Sequence, residues 1–240
     1  MKNILILGIF TMILGVLSSL IGGFLCTIFH IKTKRTISIL YELTAGIMTG
    51  IVCFEMLPES FEISSLVYSL IGIIIGVMVI YILDILVYKF SKKSNATKKV
   101  ALVVMISMAI HNIIEGLAVG SGFSFSLNLG ITVLLGIFLH DIPEGMIVGI
   151  TSKISGKKNK NIMIETASVG ACGGIGTFIG NYIGKIDDRY ISLSLSVAAG
   201  AMLYLVACEL LPESKINSKS KNIYLMYIMG IVLGALLSRI

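Results

Sequence analysis

The chain has 240 residues, of which 56% are hydrophobic and only 13% are charged, and its mean hydropathy is +0.97. A soluble domain carries about 25% charged residues, so this composition excludes a soluble domain and indicates an integral membrane protein. The net charge of +6 would favour nucleic acid as a partner of a soluble protein. Here the basic residues cluster between apolar runs, which membrane topology explains, so no nucleic-acid partner is expected.

Eight apolar segments are each long enough to cross a bilayer, which takes about 20 apolar residues in a helix. We therefore predict an all-α integral membrane protein in which residues 1–240 form a single transmembrane domain. The first segment is too long for the apolar part of a signal peptide and is expected to be a retained helix. The expected helices lie at about 4–28, 37–57, 65–88, 100–120, 128–150, 162–184, 191–211 and 222–239.

The basic residues predict how these helices are oriented. With the N-terminus outside the cell, the cytoplasmic loops hold fifteen lysines and arginines, and the outer loops and termini hold four. Short cytoplasmic loops are enriched in lysine and arginine, so we expect both termini to be extracytoplasmic. This count also supports eight crossings, in a multi-pass protein of the plasma membrane. The lysine-rich loops are expected to contact anionic membrane lipid.

Two parts of the chain repeat one another. The second segment ends with the sequence CFEMLPES (Cys53–Ser60), and the seventh ends with CELLPES (Cys208–Ser214). In the predicted topology these two segments run in opposite directions. We therefore predict an inverted repeat, with helices one to three related to helices six to eight around a central pair. In transporters built this way, the substrate site lies near the membrane midplane.

A short polar sequence occurs twice in the central pair of segments. The fourth segment contains HNIIEG (His111–Gly116), and the fifth contains HDIPEG (His140–Gly145). His111 lies about eleven residues into its segment, or roughly 16 Å, which is half of a hydrocarbon core about 30 Å thick. Ionisable groups at this depth are rare and mark ion or substrate pathways.

The spacing of the doubled sequence suits a metal ion. Histidine and glutamate four residues apart lie on one helix face, as His111 and Glu115 do, and again His140 and Glu144. Two such helices facing each other offer two nitrogens and at least two oxygens. That set suits Zn²⁺ and, less selectively, Fe²⁺, Mn²⁺ or Cd²⁺.

The neighbouring polar residues leave two arrangements open. Asn112 and Asp141 follow the histidines and either complete the first site or form a second, oxygen-rich one. Pro143 removes a backbone N–H beside His140, which frees the carbonyl of Leu139. The competing interpretation is that these groups only join two helices. A charged residue at a helix centre costs about 2.5–3.5 kcal/mol, so a purely structural role does not account for so many.

The doubled sequence, the eight segments, the outside termini and the inverted repeat resemble the ZIP (Zrt/Irt-like) metal transporters over essentially the whole chain, and bacterial members in particular. The resemblance implies a homodimeric metal-uptake carrier in which the central helices move against a more static pair, as in elevator-like alternating access. The metal, with zinc foremost and iron, manganese and cadmium also possible, is the transported substrate, and no organic cofactor is expected. The residues that the resemblance places at the metal are His111, Asn112, Glu115, His140, Asp141 and Glu144.

The chain departs from the family pattern at three positions. Ile114 stands where the first motif usually has proline, and Asp141 replaces a common asparagine. Some members have a glutamate in the middle of helix six that completes a second metal site, and Gly173 lies at that position here. Glu165 is too near the start of the helix to take its place. Occupation of two metal sites is therefore in question.

Further residues of the repeat are candidates for the ion pathway. We expect two acidic mouths that concentrate cations, the outer one formed by Glu55 and Glu59. For the carboxylates, the alternative is that they are solvated helix ends held by a Leu-Pro turn. For Met48 and Met202, the alternative is core packing. Asp84, in the third segment, either pairs with a lysine or carries a proton. The remaining candidates are Glu209 and Glu213 at the inner mouth, and Met48 and Met202.

Two rival functions can be compared with a carrier. An intramembrane metal-dependent enzyme would need a motif such as HExxH and a vacant position for water on the metal, and the chain has no HExxH. We therefore expect no enzymatic activity. A metal-selective channel needs the same midplane site, and only the inverted repeat favours a carrier over it.

Overall fold

The computed structural model describes residues 2–28, 34–92, 97–217 and 220–239. All regular structure within these ranges is helical. The middle parts of α2 and α7 are π-helical turns, and a 3-10 turn precedes α8. In chain order the helices are α1 (Lys2–Ile28), α2 (Lys34–Ile51, Val52–Met56 and Leu57–Ile63), α3 (Leu66–Lys92), α4 (Thr97–Phe125), α5 (Leu127–Ile154), α6 (Asn159–Gly184), α7 (Asp188–Leu205, Val206–Leu210 and Leu211–Asn217) and α8 (Tyr224–Leu237).

The prediction of an all-α membrane protein is confirmed. Seven of the described helices are long and apolar enough to cross a membrane, and α8 is a shorter apolar helix of 14 residues. At 1.5 Å per residue α8 is roughly 21 Å long, less than the hydrocarbon core. Each predicted segment falls on one helix, while the exact number of crossings stays a prediction. Three lysines of the topology count, Lys32, Lys93 and Lys219, lie outside the described residues.

The Leu-Pro sequences lie within helices, so the alternative of helix ends held by a Leu-Pro turn is wrong. Pro58 lies in the first turn of Leu57–Ile63, where its missing N–H costs no helical hydrogen bond. The π-helical turn Val52–Met56 directly precedes it and takes up the change in backbone register. Pro212 follows Val206–Leu210 in the same way. Both helices therefore continue beyond their predicted ends, and π-helical turns inside helices frequently lie at functional sites.

Within the described ranges, two helix starts have side-chain caps. Ser126 begins α5 by accepting a hydrogen bond from the backbone N–H of Leu129 at 3.1 Å, so α4 and α5 are joined by a single residue. Asp187 caps α7 and accepts from the backbone N–H of Arg189 at 2.8 Å. The Arg189 side chain also donates to this carboxylate, and these hydrogen bonds lower the pKa of Asp187 to about 2.

The helices pack as two groups. Helices α1, α4, α5 and α6 contact mainly one another, while α3 packs on α7 and α8 packs on α2. Small residues allow close approach within the first group. A Cβ atom on Gly116 would collide with the carbonyl oxygen of Gly173, and one on Gly145 would lie 2.5 Å from that of Ser19. We call α1, α4, α5 and α6 the central bundle.

The molecule has two ends that differ in packing. The basic end is defined by the loops that lead into α2, α4, α6 and α8, because fifteen basic residues lie in or beside them. The other end is called the opposite end. The main apolar core lies mostly between the midplane and the opposite end, and it includes the fully buried side chains of Met48, Ile51, Val133 and Met202.

Candidate metal centre

The doubled sequence brings four ionisable side chains together where α4 and α5 face each other. Glu115 Oε1 lies 2.8 Å from His140 Nε2 and 2.9 Å from His111 Nε2. Glu144 Oε1 lies 3.7 Å from His111 Nε2. All four residues are buried, with exposed fractions of at most 4%. One glutamate oxygen therefore lies between the two imidazoles, and the second glutamate lies beside them.

The arrangement is suited to a cation. Glu115, His140, Asp141 and Glu144 each offer one ligand atom, and these atoms lie within 4.8 Å of one another. Zinc binds such nitrogen and oxygen atoms at about 2.0–2.2 Å, so four ligands around one ion must all come this close to a common point.

Several atoms of this cluster have no hydrogen-bond partner among the described residues. They include the second oxygen of Glu115, the Nδ1 atoms of both histidines and one oxygen each of Asp141 and Glu144. His111 Nε2 is close to Glu115 but is not aligned for a hydrogen bond. An unpaired buried polar group costs about 1–3 kcal/mol, and such groups call for an explanation such as an ion.

The side chains of Asn112 and Asp141 each form a hydrogen bond through one atom, and one oxygen of each has no partner among the described residues. Asn112 Nδ2 donates to the carbonyl oxygen of Val169 on α6 at 3.1 Å. Ser18 on α1 donates to Asp141 Oδ2 at 3.0 Å. The free oxygens, Asn112 Oδ1 and Asp141 Oδ1, are buried without a partner in the described part of the chain. These contacts fix the two side chains to α6 and α1 and keep an oxygen of each available.

A cavity of about 330 Å³ extends from the basic end to His111. Its lining includes Glu209 and Glu213, the predicted inner mouth, and Asp84 from α3. Asp84 Oδ2 accepts a hydrogen bond from the Tyr204 hydroxyl at 2.9 Å. Sequence reasoning had no signal for this contact, because Asp84 and Tyr204 are 120 residues apart. The candidate centre thus lies at the closed inner end of an acidic cavity.

The other pathway candidates are placed differently. Glu55 and Glu59 are half-buried on the part of α2 toward the opposite end, and they do not belong to the lining of this cavity. Met48 and Met202 are fully buried in the apolar core, which agrees with the core-packing alternative. Only the inner pair of carboxylates therefore faces the cavity that leads to the centre.

Comparison with known proteins identifies the family. The ZIP zinc transporter family matches residues 91–238, which include both copies of the doubled sequence. The chain belongs to the ZIP family. It is 30% identical over 138 residues to the zinc transporter GufA of Myxococcus xanthus, covering 57% of the chain and 54% of that protein. It is 35% identical over 145 residues to the zinc transporter ZupT of Campylobacter jejuni, covering 60% and 50%.

This membership confirms the resemblance to bacterial ZIP proteins. The matched segments span about half the length of the two relatives. Both relatives and the family are named as zinc transporters.

Gly173, which is expected to stand where some ZIP proteins have a glutamate, borders a small cavity. A cavity of about 20 Å³, roughly the space of one water molecule, is lined by Asn112, Glu115, Asp141 and Gly173. A Cβ atom on Gly173 would meet nothing nearer than the Asn112 carbonyl oxygen at 3.7 Å. Glu165 is engaged elsewhere, since it accepts from Ser152 at 2.5 Å. The position of the missing carboxylate is therefore an open space beside the free oxygens.

Proposed function

We propose that this ZIP protein carries a divalent transition metal, with Zn²⁺ foremost, through the bilayer by way of the candidate metal centre. The observation that carries the proposal is the buried cluster of unpartnered ligand atoms at the inner end of an acidic cavity. The metal is the substrate, and Fe²⁺, Mn²⁺ and Cd²⁺ suit the same nitrogen and oxygen ligands. His111, Glu115, His140 and Glu144 hold the ion, and the free oxygens of Asn112 and Asp141 complete its shell.

The direction of transport follows from the predicted topology. Eight crossings with both termini outside place the basic end in the cytoplasm, as expected for a multi-pass protein of the plasma membrane. The large cavity then opens to the cytoplasm, and the apolar core separates the centre from the exterior. In this inward-open state Glu209 and Glu213 attract the departing cation. Glu55 and Glu59 serve the same purpose at the entrance when the exterior side opens.

An inverted repeat is supported within the central bundle by contacts that occur twice. A Cβ atom on Gly22 of α1 would collide with the carbonyl oxygen of Ile142 on α5. A Cβ atom on Gly176 of α6 would collide with that of Ile113 on α4. Gly22 and Gly176 are 154 positions apart, and Ile113 and Ile142 are 29 positions apart, as are the two histidines of the doubled sequence.

The remaining helices support the same relationship. Ser38 of α2 donates to the carbonyl oxygen of Ser214 on α7 at 2.9 Å. Ser192 of α7 donates to that of Ser60 on α2 at 2.8 Å. Ser192 lies 154 positions after Ser38, and Ser214 lies 154 positions after Ser60. Reciprocal contacts of this kind are what two halves related by an axis in the membrane plane produce.

Alternating access accounts for these features better than a channel. One side of the centre is open and the other is closed by buried apolar side chains, whereas a conducting channel needs a continuous path. The division into a central bundle and a second group of helices supports elevator-like movement of the bundle. The resemblance to the family also supports a homodimer. Exposed apolar side chains on α1, α3 and α8 provide surface for lipid.

Uptake into proteoliposomes tests the proposal. Wild-type protein is compared with His111→Ala and Glu144→Ala for Zn²⁺, Cd²⁺, Mn²⁺ and Fe²⁺. Saturable flux in the wild type and its loss in both variants is expected. Glu62→Ala, which changes an exposed glutamate near the opposite end, is the control and keeps the flux. Flux that is indifferent to both substitutions contradicts the role given to the doubled sequence.

A further inference from the structure

Ile51 on α2 closes the centre on the side of the opposite end. A Cβ atom on Gly136 of α5 would collide with Ile51 Cδ1 and would lie 3.0 Å from Cγ1 of the same side chain. Ile51 is 1% exposed. Gly136 lies one helical turn before His140, so this contact is the layer of packing next to the metal centre. It joins the central bundle to the second group of helices.

The related positions at the basic end are not sealed. Ser107 on α4 lies 29 positions before Gly136, just as His111 lies 29 positions before His140. Leu205 on α7 lies 154 positions after Ile51, the separation found between the two halves of the repeat. Ser107, one turn before His111 on α4, and Leu205, which is 5% exposed, both line the large cavity. One structure therefore shows the same pair of positions in contact at one end and lining an open space at the other.

We infer that Leu205 and Ser107 form the inner gate of the carrier, and that Ile51 and Gly136 form its outer gate. In the outward-open state Leu205 packs on Ser107 and closes the cytoplasmic cavity, while Ile51 and Gly136 separate. The inference rests on the proposed function, because a protein without alternating access has no second state. Neither the doubled sequence nor the acidic repeat includes these four positions.

The chemistry of the four residues fits this role. Each gate pairs a branched aliphatic side chain of the second helix group with a small residue of the central bundle. A branched side chain over a small residue fills the layer without voids and excludes water from the centre. Neither contact buries a charge, and the Ile51–Gly136 contact includes no polar side chain, so it can form and separate without leaving a polar side chain unpaired. Both gates lie one turn from a histidine, so each separates the centre from one side.

The two gates differ in how closely their side chains can pack, and this difference favours one of the two states. Ser107 has a side chain where Gly136 has none, so Leu205 cannot approach α4 as closely as Ile51 approaches α5. The inner gate therefore packs less tightly than the outer one, which favours the inward-open state. Ser107→Gly is expected to shift the population toward the outward-open state, and Ser107→Ala, which retains a Cβ atom, is expected to shift it less.

A disulfide trap tests the inner gate. Ser107→Cys and Leu205→Cys are introduced together at these two cavity-lining positions, and the protein is oxidised with copper phenanthroline in proteoliposomes. Cross-linking is expected, because the carrier visits the state with a closed inner gate during turnover. Zinc flux is expected to fall about tenfold or more and to return on reduction, since alternating access needs both states.

Controls separate the gate from the transport function itself. The wild type and the two single-cysteine variants are oxidised in parallel, and unchanged flux in all three excludes effects of the native cysteines. Normal wild-type flux without any Ser107–Leu205 cross-link overturns the gate assignment while the proposed function stands. A cross-linked protein that still transports zinc also overturns it. Absence of wild-type flux for every metal overturns the proposed function and the gates together.

Discussion

The two ends of this ZIP protein differ in packing at positions that correspond through the doubled sequence. Toward the basic end, Val104 of α4 lines a cavity of about 330 Å³ that reaches His111. Toward the opposite end, Val133 of α5 lies 29 positions later, the same separation as between His111 and His140, and it is fully buried in the apolar core. The same type of side chain thus lines a cavity at one end and is packed at the other. Under the proposed alternating access, this difference is one of conformational state rather than of side-chain chemistry.

The acidic residues sharpen this comparison. Glu209 faces the open cavity together with Asp84, whereas the related Glu55 lies half-buried outside the cavity lining. Glu115, in contrast, lies between the two histidines. Under the proposed alternating access, the carboxylates of the two mouths are used in turn, while those of the centre are used in both states.

Thiol labelling of related positions provides the largest contrast between the ends. Val104→Cys is expected to react with a maleimide at least about tenfold faster than Val133→Cys, because reaction at a buried site requires local opening. Labelling is followed by mass spectrometry in lipid nanodiscs, with the native cysteines of the wild type as background. Equal rates at the two positions would mean that the ends do not differ in solution.

The glycine contacts of the central bundle are expected to dominate its stability. Gly116→Ala places a Cβ atom against the carbonyl oxygen of Gly173 and is expected to destabilise the protein by about 1–3 kcal/mol through overpacking. Gly173→Ala adds the same atom on the facing helix, where there is space, and serves as the matched control. Thermal unfolding in detergent measures both. A similar loss in the two variants would contradict the close approach of α4 and α6.

The lack of a carboxylate at Gly173, beside the small cavity, is expected to limit the centre to one metal ion. Gly173→Asp introduces a carboxylate next to the free oxygens of Asn112 and Asp141, and a second zinc ion per chain is expected to bind. Gly173→Asn is the control of similar size, and it lacks the negative charge. Equilibrium dialysis gives the number of ions. A stoichiometry that is the same in wild type, Asp and Asn variants would show that Gly173 does not limit occupancy.

The hydrogen bond at the cavity wall is expected to contribute least. Tyr204→Phe removes the donor to Asp84, and one such hydrogen bond contributes about 0.5–1.5 kcal/mol. Zinc flux is expected to fall by a few-fold. Tyr81→Phe is the matched control, because the Tyr81 ring packs edge-on against Tyr204 and the substitution keeps that ring. Equal effects of both variants would assign the change to ring packing instead.

Much of the fold and of the centre could be predicted from the sequence. The apolar segments locate the helices because the bilayer imposes a minimum length on each. The doubled sequence locates the centre because residues four apart share a helix face, so His111 with Glu115 and His140 with Glu144 had to point in common directions. Its position near the middle of two long apolar helices made a buried cluster the natural consequence.

Other features depend on contacts that sequence periodicity does not encode. The alternative of Leu-Pro turns was wrong because a π-helical turn lets α2 and α7 continue through Pro58 and Pro212. The bonds from Ser18 to Asp141 and from Tyr204 to Asp84 join residues more than 100 positions apart. Which end is open could not be predicted either, because related sequences line both ends and only their packing differs.

Zinc binding by Glu115→Gln tests the central claim most directly. Glu115 is the residue whose oxygen lies between both histidines, and glutamine keeps its size while removing its charge. Equilibrium dialysis of purified protein with radioactive zinc is expected to give one ion per chain in the wild type and in the control Glu62→Gln, and none in Glu115→Gln. Unchanged stoichiometry in Glu115→Gln would contradict the claim that the doubled sequence forms the metal centre.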